Sequence, residues 1–183
     1  MQLSIPNILT LARMGAVPFV VACFYWNSPW ASVAEITLFL LACVTDFFDG
    51  YIARQQEQVS EFGRIFDPIA DKLLISAILL MLAGTHVLSK LSLIPTAIIL
   101  CREVLVSGLR ESLSQNTDAL LVTNYAKWKT ASQMVSISVL LVAHALPNWM
   151  ILSLLGQIGI WITALLTLVT GVRYFKKALA LMQ

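Results

Sequence analysis

Four aspartates stand out in a chain with few charges: Asp46 and Asp49 in DFFDGYIAR, and Asp67 and Asp71 in GRIFDPIADK. On helices, residues three or four apart share a face, so each pair presents two carboxylates together. Carboxylates are hard oxygen donors and bring no nitrogen or sulfur, which favours Mg2+ or Mn2+ over zinc. Four negative charges suit two divalent ions, and paired ions serve displacement at phosphorus.

A purely structural role is hard to sustain. One aspartate near the centre of a membrane helix costs about 2.5–3.5 kcal/mol on insertion scales. Four together approach ~10 kcal/mol, the net stability of a whole domain. Arg54 and Lys72 can neutralise only two of them. Gly50 and Ala53, with Gly63 on the other side, remove side-chain bulk beside the acids and open the backbone to a substrate or a second helix. Asp67-Pro68 leaves two readings open. Asp67 caps a helix that has Pro68 at its first position, or a helix starts near Ser60 and Pro68 kinks it.

The elements that must position these groups follow from the apolar runs. The chain has 183 residues, 58% hydrophobic and only 12% charged, about half the charged fraction of a soluble domain. Apolar runs approach or exceed the ~18–20 residues that cross a hydrocarbon core. They cover Ile8–Tyr25, Ser32–Thr45, Ile69–Gly84, Leu91–Leu109, Tyr125–Leu146 and Met150–Val172. Only helices satisfy their own backbone in lipid when the segments are this short and separate. The expectation is an all-α, polytopic six-transmembrane-helix bundle, with residues 1–183 forming one membrane domain.

Short breaks at Asn27-Ser28-Pro29, Thr85–Lys90 and Pro147-Asn148 alternate with longer connections, Arg54–Gly63 and Arg110–Asn124. Of 12 Lys and Arg, only Lys90 falls in a connection on the short-loop side. The positive-inside rule therefore places the long connections and both termini in the cytoplasm. The first segment lacks a basic leader and is expected to stay as a helix. Cys23, Cys43 and Cys101 sit in apolar segments without metal-ligand spacing and read as packing residues. His86 and His144 lie away from the acids, and Trp26, Trp30 and Trp149 read as interfacial anchors. The tail RYFKKALALMQ suits either anionic lipid or a helix end bearing topological charge. A net charge of +2 says little about partners, and no nucleic-acid polymer is expected among them.

Written out, the acidic pattern is Asp46-x2-Asp49-Gly50-x2-Ala53-Arg54-x8-Gly63-x3-Asp67-x3-Asp71. It resembles the motif of the CDP-alcohol phosphotransferase family at every fixed position. The resemblance implies a six-helix membrane enzyme in which Asp46, Asp49, Asp67 and Asp71 bind two divalent cations, Mg2+ or Mn2+. Those ions hold the diphosphate of a CDP-linked substrate, and Asp71 also acts as general base. The assignment is chemically sensible, because a neutral hydroxyl with a pKa far above 7 needs a base within hydrogen-bonding reach. The anionic diphosphate also repels a nucleophile until its charge is dispersed.

Three further stretches resemble the branch of the family that makes phosphatidylglycerophosphate. IPNILTLAR places Asn7, Thr10 and Arg13 at helical spacing, implied to lie beside the nucleotide end. A helix cap at Asn7 and an Arg13 reaching for headgroups are the alternatives. With Gly50, Ala53, Arg54 and Gly63 these form the implied CDP-diacylglycerol contacts. CREVLVSGLRE sets Arg102 and Arg110 on one stripe, with Ser107 beside it. AKWKTASQ resembles a GKxKTxxQ sequence, with Ala126 in place of Gly, and supplies Lys127 and Lys129. Glu103 can pair with Arg102, and positive-inside bias can explain either lysine. Together these cations suit a second anion, a phosphorylated alcohol.

The implied acceptor is sn-glycerol 3-phosphate, the implied setting a bacterial inner membrane, and the implied assembly a homodimer. The rivals are another acceptor (inositol phosphate, serine, choline or phosphatidylglycerol), a divalent-cation transporter, or a lipid-binding scaffold without catalysis.

Overall fold

Ser28 and Pro29 show how local chemistry starts a helix in this chain. The Ser28 hydroxyl accepts the Ala31 backbone N–H at 3.2 Å, and Pro29, with no N–H to satisfy, takes the first helical position. The computed structural model describes the backbone of residues 5–26, 28–56, 61–112 and 124–182, and the side chains of residues 7–26, 28–45, 63, 65–109 and 128–176. Within them the chain is all-α. The elements are α1 (Ile5–Tyr25), α2 (Pro29–Gln56), α3 (Glu61–Ala83), a short 3-10 turn (Lys90–Ser92), α4 (Leu93–Ser112), α5 (Asn124–Ala145) and α6 (Met150–Met182).

The apolar ends of these helices fall close to those expected. The polar ends run further: α2 continues to Gln56 and α3 begins at Glu61, so most of the expected Arg54–Gly63 connection is helical. Pro68 lies inside α3, so Asp67 is a mid-helix residue and not a cap. Pro68 removes one backbone donor, yet the helix passes through it, as packed membrane helices permit.

α5 packs along α6, α4 also lies on α6, and α1 packs against both α3 and α2. The core joins Val20 of α1, Phe39 of α2, Leu74, Ile78 and Leu82 of α3, and Ile137, Leu141 and Ile160 from α5 and α6. Two glycines bring α6 onto α5. A Cβ on Gly156 would come within 2.6 Å of Leu140 Cδ2, and one on Gly159 would collide with the Ser136 side chain. Small residues at such crossings are how membrane helices gain close contact without a hydrophobic driving force. At the short-loop end, Gln157 of α6 clasps the α3–α4 connection. Its amide donates to Val87 O at 3.0 Å and its carbonyl accepts from Ser92 Oγ at 2.7 Å.

The outer face is apolar too: Phe19, Leu80, Ile94, Leu154 and Leu165 are all exposed. Such a surface suits hydrocarbon as solvent. Among the described residues, three helical stretches are long and apolar enough to cross a membrane: Asn7–Tyr25, Lys90–Leu109 and Met150–Lys176. Pro29–Thr45 is a shorter apolar stretch. Of the expected six-transmembrane-helix bundle, the described residues show the all-α class and six α-helices, three of them with a stretch long and apolar enough to span. α3 carries Asp67, Asp71 and Lys72, and α5 carries Lys129, Ser132, Gln133 and Ser136. These polar groups break the apolar windows of α3 and α5.

Candidate active site

α1 contributes a buried polar stripe. Asn7, Thr10 and Arg13 are 2%, 1% and 4% exposed, at the three-residue intervals that keep them on one helix face. Asn7 lies inside α1, which begins at Ile5, so it is not a cap, and the burial of Arg13 rules out a side chain extended to the headgroups. The stripe faces α3, where the Thr10 hydroxyl donates to Asp67 Oδ1. Arg13 also borders a groove between α1 and α2 lined by Ala12, Ala16, Ala42 and Thr45.

On α3, Asp67 and Asp71 stand one turn apart and both are partly buried. Gly63 is buried a turn before Asp67. The neighbouring Lys72 ammonium donates to Ser107 Oγ of α4 at 2.5 Å, tying the acidic helix to the basic one.

The basic side is built on one carboxylate. Glu103 of α4 pairs with Arg102 at 3.2 Å and, across the helix boundary, with Lys129 of α5. Lys129 is 6% exposed. Among the described residues, Arg102 and Lys129 share the one Glu103 carboxylate. Arg and Lys together suit a phosphate. Arg102 Nη2 donates to Thr170 Oγ1 of α6 at 3.0 Å.

Of the residues expected from the sequence, Asn7, Thr10, Arg13, Gly63, Asp67, Asp71, Arg102, Ser107 and Lys129 have described side chains. The structure brings Thr10 to Asp67, Lys72 to Ser107, and Arg102 and Lys129 to Glu103. Asp46, Asp49, Gly50, Ala53, Arg54, Arg110 and Lys127 lie outside the described side chains. Among the described residues no three His, Cys, Asp or Glu groups converge on one point. The fit to a divalent cation therefore rests on the donor set. Asp67 and Asp71 offer oxygen ligands from one helix face, and the Thr10 bond orients one of them in the way outer partners orient metal ligands.

Sequence reasoning missed the partnership of Lys129 with Glu103, the role of Thr170, and the burial of Gln133, which is 2% exposed with its Nε2 unpartnered. Gln133 sat in the quoted AKWKTASQ stretch. Thr170 gave no signal, since threonine in an apolar helix commonly bonds its own turn.

A family model described as CDP-alcohol phosphatidyltransferase matches residues 3–169. A Rickettsia bellii protein named CDP-diacylglycerol–glycerol-3-phosphate 3-phosphatidyltransferase is 46% identical, with 94% of each chain covered. A Cereibacter sphaeroides protein of the same name is 41% identical over 98% of this chain and 97% of its own. A cardiolipin synthase (CMP-forming) from Oryza sativa subsp. japonica is 37% identical over 96% of this chain and 57% of its own.

Proposed function

The chain belongs to the CDP-alcohol phosphatidyltransferase family, and from that premise we propose that it transfers a phosphatidyl group from CDP-diacylglycerol to sn-glycerol 3-phosphate. The products are phosphatidylglycerophosphate and CMP. The observation that carries the acceptor assignment is the cluster of Arg102, Glu103 and Lys129 on α4 and α5, tied to the acidic helix by the Lys72–Ser107 bond. A phosphate seated there sets its alcohol beside a carboxylate.

In this reading Asp46, Asp49, Asp67 and Asp71 hold two divalent ions, Mg2+ or Mn2+. When bound, these disperse the charge of the diphosphate and of the departing CMP phosphate. The remaining work is done by side chains. Asn7, Thr10 and Arg13 line the nucleotide side with Arg54, while Gly50, Ala53 and Gly63 keep bulk away from the diphosphate. Thr10 fixes the rotamer of Asp67. Arg102, Arg110, Lys127 and Lys129, with Ser107, hold the acceptor phosphate. Holding the two substrates together converts a bimolecular encounter into a local one. Asp71 takes the proton of the acceptor hydroxyl as its oxygen bonds to the β-phosphorus, the one carrying diacylglycerol. The bond from that phosphorus to the bridging oxygen breaks, and CMP leaves with the bridging oxygen.

The same reading sets six crossings in the inner membrane of a bacterium, with both termini and the acidic site on the cytoplasmic side. The lipid enters sideways, the α1–α2 groove beside Arg13 offering an apolar wall, and the acceptor comes from water. Assembly as a homodimer follows from the family resemblance. The rice relative's name makes a lipid acceptor, phosphatidylglycerol, the rival that matters most. Radiolabelled glycerol 3-phosphate decides between them: label passing into extractable lipid, dependent on CDP-diacylglycerol and a divalent cation, supports the proposal. Cardiolipin formed from phosphatidylglycerol, with no label transfer, contradicts it.

A further inference from the structure

We infer that Thr170 and Gly171 of α6 are positioning residues that aim the Arg102 guanidinium at the acceptor phosphate, an inference that rests on the proposed role of Arg102. Arginine is a long side chain, and holding it in one geometry within a partly buried site needs partners. Arg102 has two: Nη1 meets Glu103 at 3.2 Å, and Nη2 meets Thr170 Oγ1 at 3.0 Å. These come from different helices, so the plane of the guanidinium is fixed between α4 and α6.

The direction of the second bond is set by the helix itself. A hydroxyl has one proton, and Thr170 directs its own back to the carbonyls of Leu166 at 2.9 Å and Thr167 at 3.0 Å. Its lone pairs are then turned towards Arg102, and a guanidinium has only donors to give. Thr170 is 3% exposed, so water does not substitute for either partner.

Gly171 adds an independent constraint. A Cβ built there would lie 3.2 Å from Arg102 Cγ and 3.6 Å from Nε. The arginine stem therefore lies across the glycine, in space that any other residue would fill. Nε, beside that space, is buried and has no hydrogen-bond partner, so one N–H of the fork stays uncommitted after both terminal nitrogens are engaged. Buried donors are rarely left unpaired without a reason.

The test uses the full-length protein, purified in detergent, with CMP release measured against each substrate in turn. Thr170→Val keeps the shape and removes the acceptor. It should raise the KM for glycerol 3-phosphate by roughly 5- to 20-fold, with the KM for CDP-diacylglycerol within about twofold. Thr170→Ser restores the oxygen and should return the KM to near the parent value. Gly171→Ala displaces the guanidinium by a different route and should raise the same KM. In an Arg102→Ala background, Thr170→Val should add no further loss, since coupled groups are not additive. If Thr170→Val raises the KM equally with and without Arg102, or Ser fails to rescue it, the positioning role is overturned while the acceptor site stands. If Arg102→Ala itself leaves the KM for glycerol 3-phosphate unchanged, the proposed acceptor site falls and the inference falls with it.

Discussion

The Thr10 hydroxyl of α1 donates to the Asp67 carboxylate of α3, joining the two motif stretches that lie furthest apart in the first half of the chain. One oxygen of Asp67 is thereby engaged, and in the proposed reading the other meets a cation. Thr10→Val should remove that restraint without changing shape. Outer partners of this kind affect metal affinity or activity by about 10–100-fold. Activation by Mg2+ should therefore shift to higher concentration by about tenfold, and Thr10→Ser should reverse the shift; a Mg2+ titration of CMP release reads both.

Lys129 is the α5 member of the basic cluster and shares the Glu103 carboxylate with Arg102. Lys129→Ala leaves the Arg102–Glu103 pair and removes one of the cations proposed to hold the acceptor phosphate. The KM for glycerol 3-phosphate should rise by about tenfold or more, the weight of a charge-assisted contact. The KM for CDP-diacylglycerol should hardly move. Steady-state kinetics with each substrate varied separately check the split.

Gly156 has no role in the chemistry and a large one in packing, since α5 passes where its side chain would be. Gly156→Val should push α5 from α6 and destabilise the protein by about 1–3 kcal/mol, as overpacked cores do. Thermal unfolding in detergent reads this as a lower Tm. Activity per folded molecule, measured well below the Tm, should stay within about twofold of the parent because Gly156 and its contact Leu140 lie roughly three to four turns along α6 and α5 from Thr170 and Lys129.

The proposed orientation rests on the basic residues, with Lys90 on the short-loop side and Arg173 and Lys176 near the C-terminal end of α6. In a chain whose native cysteines are replaced, Lys90→Cys should react with an impermeant thiol reagent added outside spheroplasts. Lys176→Cys should react only after the membrane is opened. The reverse pattern would overturn the inward-facing site.

The helices were legible because their apolar runs are long and their stops are local: Ser28 and Pro29 start α2 by capping chemistry, which acts over a single turn. The acidic motif was legible because its spacing is fixed along two helices. Asp67-Pro68 was not settled by sequence, since capping and mid-helix proline use the same dipeptide. The burial of α3 against α1 decides it. The links from Lys129 to Glu103, from Arg102 to Thr170 and from Gln157 to Val87 join residues far apart in the sequence, on different elements. No periodicity within one helix encodes such pairs; they depend on how helices are brought together. The unequal apolarity of the six helices has the same origin, because the polar groups that break α3 and α5 are sheltered by their neighbours.

The most direct measurement of the central claim is CMP release by the purified protein with CDP-diacylglycerol, Mg2+ and a panel of alcohols, beside Asp71→Asn. Release should depend on glycerol 3-phosphate and on no other alcohol of the panel. In Asp71→Asn it should drop by about 10^2- to 10^4-fold, the worth of a general base. Release driven equally well by serine, inositol phosphate or phosphatidylglycerol would contradict the acceptor assignment, and undiminished release from Asp71→Asn would contradict the role of Asp71 as the base.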